Sequence, residues 1–373
     1  MRSPSGPASD APLASPGKHA RSLSGTAPRL CFCNGWLRRR ALAMLIVSVW
    51  CASPAIAASA SSTPDVAQNS NASNASNASA VPRRTQVGVQ VKLETFTYAD
   101  AQAIRATGFS FVRFGIWTNA LGNAAYRQRM LAAFAAARSA ALPVLVTLRS
   151  TQPLTTATRG QARDAALALA GTALADAVIE IGREFAAQIL AIELWNEPDL
   201  ARYWPTGDVL ATFAPTLRAT CARLATQRHP VPVYGFGFAR APLRGTLPDT
   251  LLTAVLDGNA GCLDAISYHA YGMTPAAIRD AAREIRMRHG IPAVITEWGV
   301  PSAGLLQGSG TQARRMRDFA ATRMDSQTPL ISIYEWKDTA SGTNARERSY
   351  GLVDSSGQPK PALDIWRQTL RAR

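Results

Sequence analysis

The sequence predicts a single (β/α)8 barrel over residues 85–373, on three observations. Eight short runs rich in β-branched and aromatic residues recur after residue 85, each followed by an Ala/Arg/Leu-rich helical segment. The 289 residues involved are the span of one α/β barrel domain. No glycine-rich phosphate loop follows the first run, as a doubly wound open sheet would carry there.

The runs read in order as strands at 86–92, 110–116, 143–149, 189–195, 232–238, 264–270, 292–297 and 329–335. The first, Gln86-Val-Gly-Val-Gln-Val, alternates polar and apolar residues. The second to fourth are near-continuous apolar runs, as strands covered on both faces should be. Gly235-Phe236-Gly237 in the fifth is too isolated to be a nucleotide loop and is read as making room inside the barrel. The sixth and seventh carry polar residues toward their ends, and the eighth ends in Tyr334-Glu335. Helical patterns fill the gaps at 98–107, 123–141, 160–187, 208–228, 248–257, 275–289, 310–325 and 361–371. Several are rich in alanine, the strongest helix former. Gly108, Gly290, Pro143 and Pro292 punctuate helix-to-strand joints.

Outside the barrel, Leu37-Arg-Arg-Arg40 followed by the apolar stretch 41–49 and Ala55-Ile-Ala57 has the three parts of an export signal. Residues 1–57 are therefore expected to be a leader, with a periplasmic or secreted mature chain; an uncleaved membrane anchor is the alternative. Residues 58–84 are Ala/Ser/Asn-rich, with Asn-Ala-Ser three times from Asn71, and are expected to be a flexible linker. No stretch after residue 60 reads as long and apolar enough to span a bilayer. Cleavage after Ala57 would leave Cys221 and Cys262, an even number, and one disulfide between them is expected in an oxidising compartment, with two buried free thiols as the alternative.

Lys and Arg number 40 against 25 Asp and Glu, a formal charge of +15. Seven basic residues and one acid lie in the leader, and the surplus beyond residue 85 is scattered without a basic run. A diffuse excess of this kind is a solvated surface, so no nucleic-acid partner is expected. The sequence has no HExxH or paired-cysteine spacing, no Gly-x-Ser-x-Gly elbow and no Walker loop. No metal and no cofactor is expected.

In a (β/α)8 barrel the reacting groups sit at the C-terminal ends of the strands. The fourth strand runs into Trp195-Asn196-Glu197-Pro198 and the seventh into Thr296-Glu297-Trp298, so two carboxylates face each other across a narrow rim. Such a pair is the minimum equipment for cleaving a glycosidic bond: one carboxyl protonates the leaving oxygen, the other attacks the anomeric carbon. Strand parity places Phe111 with Arg113, Ile295 with Glu297, and Ser267 with His269 and Tyr271 on inward faces, with Val112, Phe114 and Val294 outward.

These motifs, in this order, resemble glycoside hydrolase clan A, the retaining (β/α)8 hydrolases, in a family 5-like or short bacterial family 39-like form. Arg113 resembles the clan's strand-two arginine, His269-Ala270-Tyr271 its His-x-Tyr, and Trp336 its strand-eight tryptophan. Tyr350-Gly-Leu-Val-Asp354 and Pro359-Lys-Pro361 resemble a closing segment common in families 5 and 39. The resemblance implies Glu197 as general acid/base and Glu297 as nucleophile. It further implies Asn196 on the substrate 2-hydroxyl, Tyr271 donating to Glu297, Arg113 adding positive charge there, His269 on sugar hydroxyls or Glu197, and Trp336 stacking on the sugar ring. Trp117 and Trp204 on βα loops are candidate sugar platforms, with packing under the loops as the alternative.

Glu193 reads as an interior charge paired with an arginine such as Arg113. Arg149 reads as a substrate contact or a loop salt bridge. Asp199, Glu335 and Asp338 read as loop caps or surface charges. The whole describes a monomeric, exported, retaining β-glycosidase acting on a polysaccharide or oligosaccharide. A transglycosylase on the same residues and a non-catalytic carbohydrate-binding barrel are the alternatives.

Overall fold

The computed structural model describes residues 85–372, apart from Arg228, Ala260, 305–307 and Ser341. The expected leader and linker lie outside the described residues. Eight parallel strands pair in chain order and close on themselves through the contact of the last with the first. They are β1 (Gln86–Gln90), β2 (Val112–Trp117), β3 (Val144–Arg149), β4 (Ile189–Leu194), β5 (Val233–Phe238), β6 (Ala265–His269), β7 (Ala293–Trp298) and β8 (Leu330–Ile333). The surrounding helices are α1 (Tyr98–Thr107), α2 (Ala124–Ser139), α3 (Gly160–Glu184), α4 (Val209–Ala225), α5 (Leu247–Leu256), α6 (Pro275–His289), α7 (Ser309–Thr322) and α8 (Pro361–Arg371). All sixteen expected elements are present in this order.

Local chemistry sets the boundaries. Thr97 caps α1 in a reciprocal box with Asp100, and Asn123, Asp208, Thr246 and Thr274 cap α2, α4, α5 and α6 with their side-chain oxygens. Gly108 and Gly290 end α1 and α6 in the left-handed conformation, with φ of 103° and 75°. α3 and α4 pack so closely that a Cβ on Gly171 would sit 2.1 Å from the Thr216 carbonyl oxygen. Cys221 on α4 and Cys262 before β6 are joined in a disulfide, with Cα atoms 5.2 Å apart.

The expectation about membrane spans is corrected by α3. This helix is long and apolar enough to cross a bilayer by length and composition, but half of its apolar window is buried in the protein. Leu174, Val178, Ile179 and Ile181 are buried in the layer between helices and barrel, while Leu169 faces outward.

The apolar core has two parts. The larger lies between the helices and the outer face of the barrel. The smaller, formed by Phe111, Leu145, Ala191, Ala265, Val294 and Leu330, draws on five strands and the residue just before β2, and plugs the barrel floor. Val294 therefore points inward, against the parity expected for β7, while Ile295 belongs to the outer layer. A register shift between β6 and β7 reconciles this with the site. Tyr268 pairs with Ile295 but His269 pairs with Glu297, so the strand advances one extra residue before the rim. Glu297 reaches the interior through this irregularity rather than by simple alternation.

Candidate active site

Above the apolar plug the barrel interior is polar and almost wholly buried. Arg113 on β2 is its hub. Its Nε and Nη2 donate to Glu193 Oε2 on β4 at 3.1 and 2.6 Å. Its Nη1 donates to Gln90 Oε1 at 2.7 Å and to Glu297 Oε1 at 2.5 Å, and Nη2 also reaches Asn196 Oδ1 at 3.1 Å. Thr147 on β3 adds a hydrogen bond to Glu193 Oε2 at 2.7 Å. Gly237, at φ +59°, leaves the opposite side of that carboxylate clear, since a Cβ there would lie 3.0 Å from Glu193 Oε1. One cation thus holds two buried carboxylates, and removing it would strip both of their bonded counter-charge. Glu193 is the interior partner of Arg113 that its position on the strand suggested.

Burial alone would raise the carboxyl of Glu193, but Arg113 and then His269 outweigh it and hold it below the ordinary range. Glu297 behaves alike. Burial opposes its ionisation, while the charges of His269 and Arg113 and the hydroxyl of Tyr271, 2.7 Å from Oε2, bring it below the usual carboxylate value. Glu297 is therefore ionised at neutral pH.

Glu197 stands across the rim. The chain turns there through two residues with positive φ, Trp195 at 73° and Glu197 at 50°. Neither is a glycine, and this region of backbone space is costly for them. The turn sends the Trp195 ring into the packing beneath the loop and the Glu197 carboxylate to the cavity. His269 Nδ1 lies 2.8 Å from Glu197 Oε1 and 3.5 Å from Glu297 Oε2. Buried between two carboxylates, His269 is desolvated, which lowers its pKa, but Glu297 and Glu197 raise it further, and the net direction is upward.

One donor atom each from Glu197, His269 and Glu297 lie within 4.8 Å of one another. Among the described residues this is the one cluster with metal-ligand chemistry. Its atoms are already engaged: Arg113 and Tyr271 donate to Glu297, and His269 Nδ1 shares a hydrogen bond with Glu197.

The cavity above these groups has a volume of about 1120 Å3. Of the residues expected at the site, Glu197, Glu297, Asn196, Arg113, Tyr271, Trp336 and Trp117 line it. Asn196 offers its amide nitrogen to the cavity, because its oxygen accepts from Arg113, which can only donate. Trp336 is fixed by a hydrogen bond from its indole to Asp100 Oδ1 at 3.0 Å. Trp117 stacks on Tyr126, with ring centroids 5.7 Å apart.

His269 and Trp204 are placed differently. His269 is fully buried behind the two carboxylates and reaches the cavity only through them. Trp204 does not reach it at all. Its indole donates to Thr212 Oγ1 at 2.8 Å, and its ring packs between Trp195 and Phe213. The packing alternative holds for this residue, because the loop it sits on folds back over α4.

Glu335 corrects a second reading. It is not a surface charge but 1% exposed, lining the cavity just past β8 with Lys92 Nζ 3.2 Å away. Burial raises its carboxyl to about 7 in spite of Lys92. Arg149 and Tyr203 also line the cavity, the guanidinium 5.4 Å over the tyrosine ring.

Tyr271→Phe removes a hydroxyl that favours ionised Glu297. The Glu297 carboxyl should titrate at higher pH, so the acidic limb of kcat/KM should move upward, with a loss of about 10–100-fold at neutral pH. A pH–rate profile of the variant reads both.

The fold and the paired glutamates define a class of (β/α)8 barrel with facing carboxylates on β4 and β7. Among solved structures it is similar to a family 39 glycoside hydrolase from Bacteroides cellulosilyticus, with a TM-score of 0.58, 17% identity and coverage of 78% of this chain and 64% of that one. A family 39 β-xylosidase from Caulobacter crescentus gives 0.53 and 18%, covering 77% and 71%. An exo-β-1,4-mannosidase from an Opitutaceae bacterium gives 0.54 and 15%, covering 77% and 59%. The chain thus spans less than two thirds of the first and third of these proteins, and at these identities the likeness is one of fold. No protein-family model and no curated protein matches the sequence.

Proposed function

We propose that this protein is an exported retaining β-glycoside hydrolase acting on an oligosaccharide or polysaccharide. The observation that carries the reading is the asymmetric pair of rim glutamates. Glu297 is held ionised by His269, Arg113 and Tyr271, while Glu197, bonded to His269, has no arginine or lysine bonded to it among the described residues. Glu297 attacks the anomeric carbon while Glu197 protonates the departing oxygen, forming a covalent glycosyl-enzyme. Glu197 then takes a proton from water, which displaces Glu297 and restores the original configuration. Carboxylate oxygens within 4.8 Å favour this double displacement over direct attack by water, which needs the carboxyls about 6.5–9.5 Å apart. Asn196 holds the 2-hydroxyl through its amide nitrogen, and Trp336 and Trp117 offer apolar faces to the sugar.

A panel of neutral and acidic polysaccharides, read by product mass, tests the reading. Defined mono- or oligosaccharide products are expected from at least one of them. Intact polymers throughout, with binding preserved, would instead favour a non-catalytic carbohydrate-binding barrel. Transfer products in place of hydrolysis would favour a transglycosylase.

A further inference from the structure

We infer that Lys92 and Glu335 form the recognition site for two adjacent hydroxyls of an uncharged sugar ring, and so select the sugar that is transferred to Glu297. The inference rests on the glycosidase reading.

Glu335 is 1% exposed and faces the cavity; its Oε2 pairs with Lys92, and its Oε1 accepts no hydrogen bond among the described residues. A buried carboxylate is seldom left so unless something else comes to it. Its neighbour Lys92, at the end of β1, donates to Tyr334 at 3.0 Å and lies over the same ring, which holds the ammonium beside the carboxylate. Acceptor and donor 3.2 Å apart match a pair of ring hydroxyls, one donating to Glu335 and the other accepting from Lys92.

Position in the barrel says which sugar is read. β8 and β4 lie four strands apart in a closed ring of eight, and so face each other across the cavity. The glycosidic oxygen must point to Glu197 at the end of β4. The ring edge remote from the anomeric carbon then meets the wall built by β8 and β1, where Glu335 and Lys92 stand. Lys92 is already paired with Glu335 at 3.2 Å, so this pair offers a donor and an acceptor for hydroxyls rather than a free cation for a uronic acid.

The test uses aryl β-glycosides of glucose, xylose, mannose, galactose and glucuronic acid, then the 3-deoxy and 4-deoxy analogues of whichever is cleaved fastest. The wild type should lose about 30-fold in kcat/KM on at least one deoxy analogue and should disfavour the glucuronide. In Glu335→Gln and Lys92→Gln the parent substrate should lose a similar factor while the deoxy analogue changes little, so the ratio collapses toward one. An unchanged deoxy ratio in both folded variants, or a glucuronide cleaved as fast as the neutral parent, would overturn the assignment and leave the hydrolase reading intact. Failure of the wild type on every aryl glycoside and on the polysaccharide panel would overturn both.

Discussion

Glu297→Ala should lower turnover by on the order of 10^5-fold, because the reaction loses an attacking group already held against the anomeric carbon. The fold should survive. Arg113 keeps its two hydrogen bonds to Glu193, and the space vacated opens to the cavity. Added azide should restore part of the rate with an activated aryl glycoside. It would enter from the face that Glu297 leaves empty, form a bond to the anomeric carbon as the aryl oxygen departs, and give a glycosyl azide of inverted configuration. Circular dichroism checks the fold, and product NMR checks the azide. Wild-type turnover in the Glu297→Ala variant would remove Glu297 from the mechanism.

The second large effect is expected at Arg113. Arg113→Met keeps much of the side-chain volume but strips the cation from two buried carboxylates, Glu193 and Glu297, and a donor from Gln90 and Asn196. Leaving a buried charge unpaired costs about 3–5 kcal/mol, which denaturant unfolding would read. Activity should fall as well, for a separable reason. Without Arg113 the Glu297 carboxyl titrates at higher pH, and Asn196 is free to rotate away from the 2-hydroxyl. Adding Glu193→Leu to Arg113→Met removes the stranded interior charge, so stability should recover in part while activity does not. Joint recovery of both would mean that Arg113 serves the fold alone.

Much of this architecture is legible in the sequence, because its signals are local and agree with one another. Thr97 with Asp100 marks the start of α1, Gly108 its end, and the apolar runs between such marks read as covered parallel strands. Glu197 and Glu297 are legible because each is a carboxylate at the end of a mostly apolar run, and Arg113 because it is the one charge within β2. What escapes is non-local. The register shift before His269 and Glu297 depends on how β6 and β7 pair, so alternation along β7 alone wrongly turns Val294 outward. Trp204 looks like any loop tryptophan until α4 and Trp195 are packed around it. α3 reads as an ordinary barrel helix, although its apolar length alone would serve a membrane.

Glu335, read from the sequence as a loop cap or surface charge, is the most consequential correction. β8 ends at Ile333, so strand parity says nothing about where Glu335 points. One signal for it existed. Barrel closure makes β1 and β8 neighbours, which brings a lysine just past one strand end beside a glutamate just past the other. A pair of opposite charges at adjacent strand ends on the catalytic rim is a site feature, even when neither residue belongs to a recognised motif.

The central claim, double displacement through Glu297, is tested most directly by the configuration of the first product. An aryl β-glycoside should be hydrolysed in an NMR tube and the anomeric proton followed from the first minutes, before the free sugar equilibrates. The β-anomer appearing first, with the α-anomer growing in only by mutarotation, is the result expected. An α-anomer appearing first would mean a single displacement by water and would contradict the account.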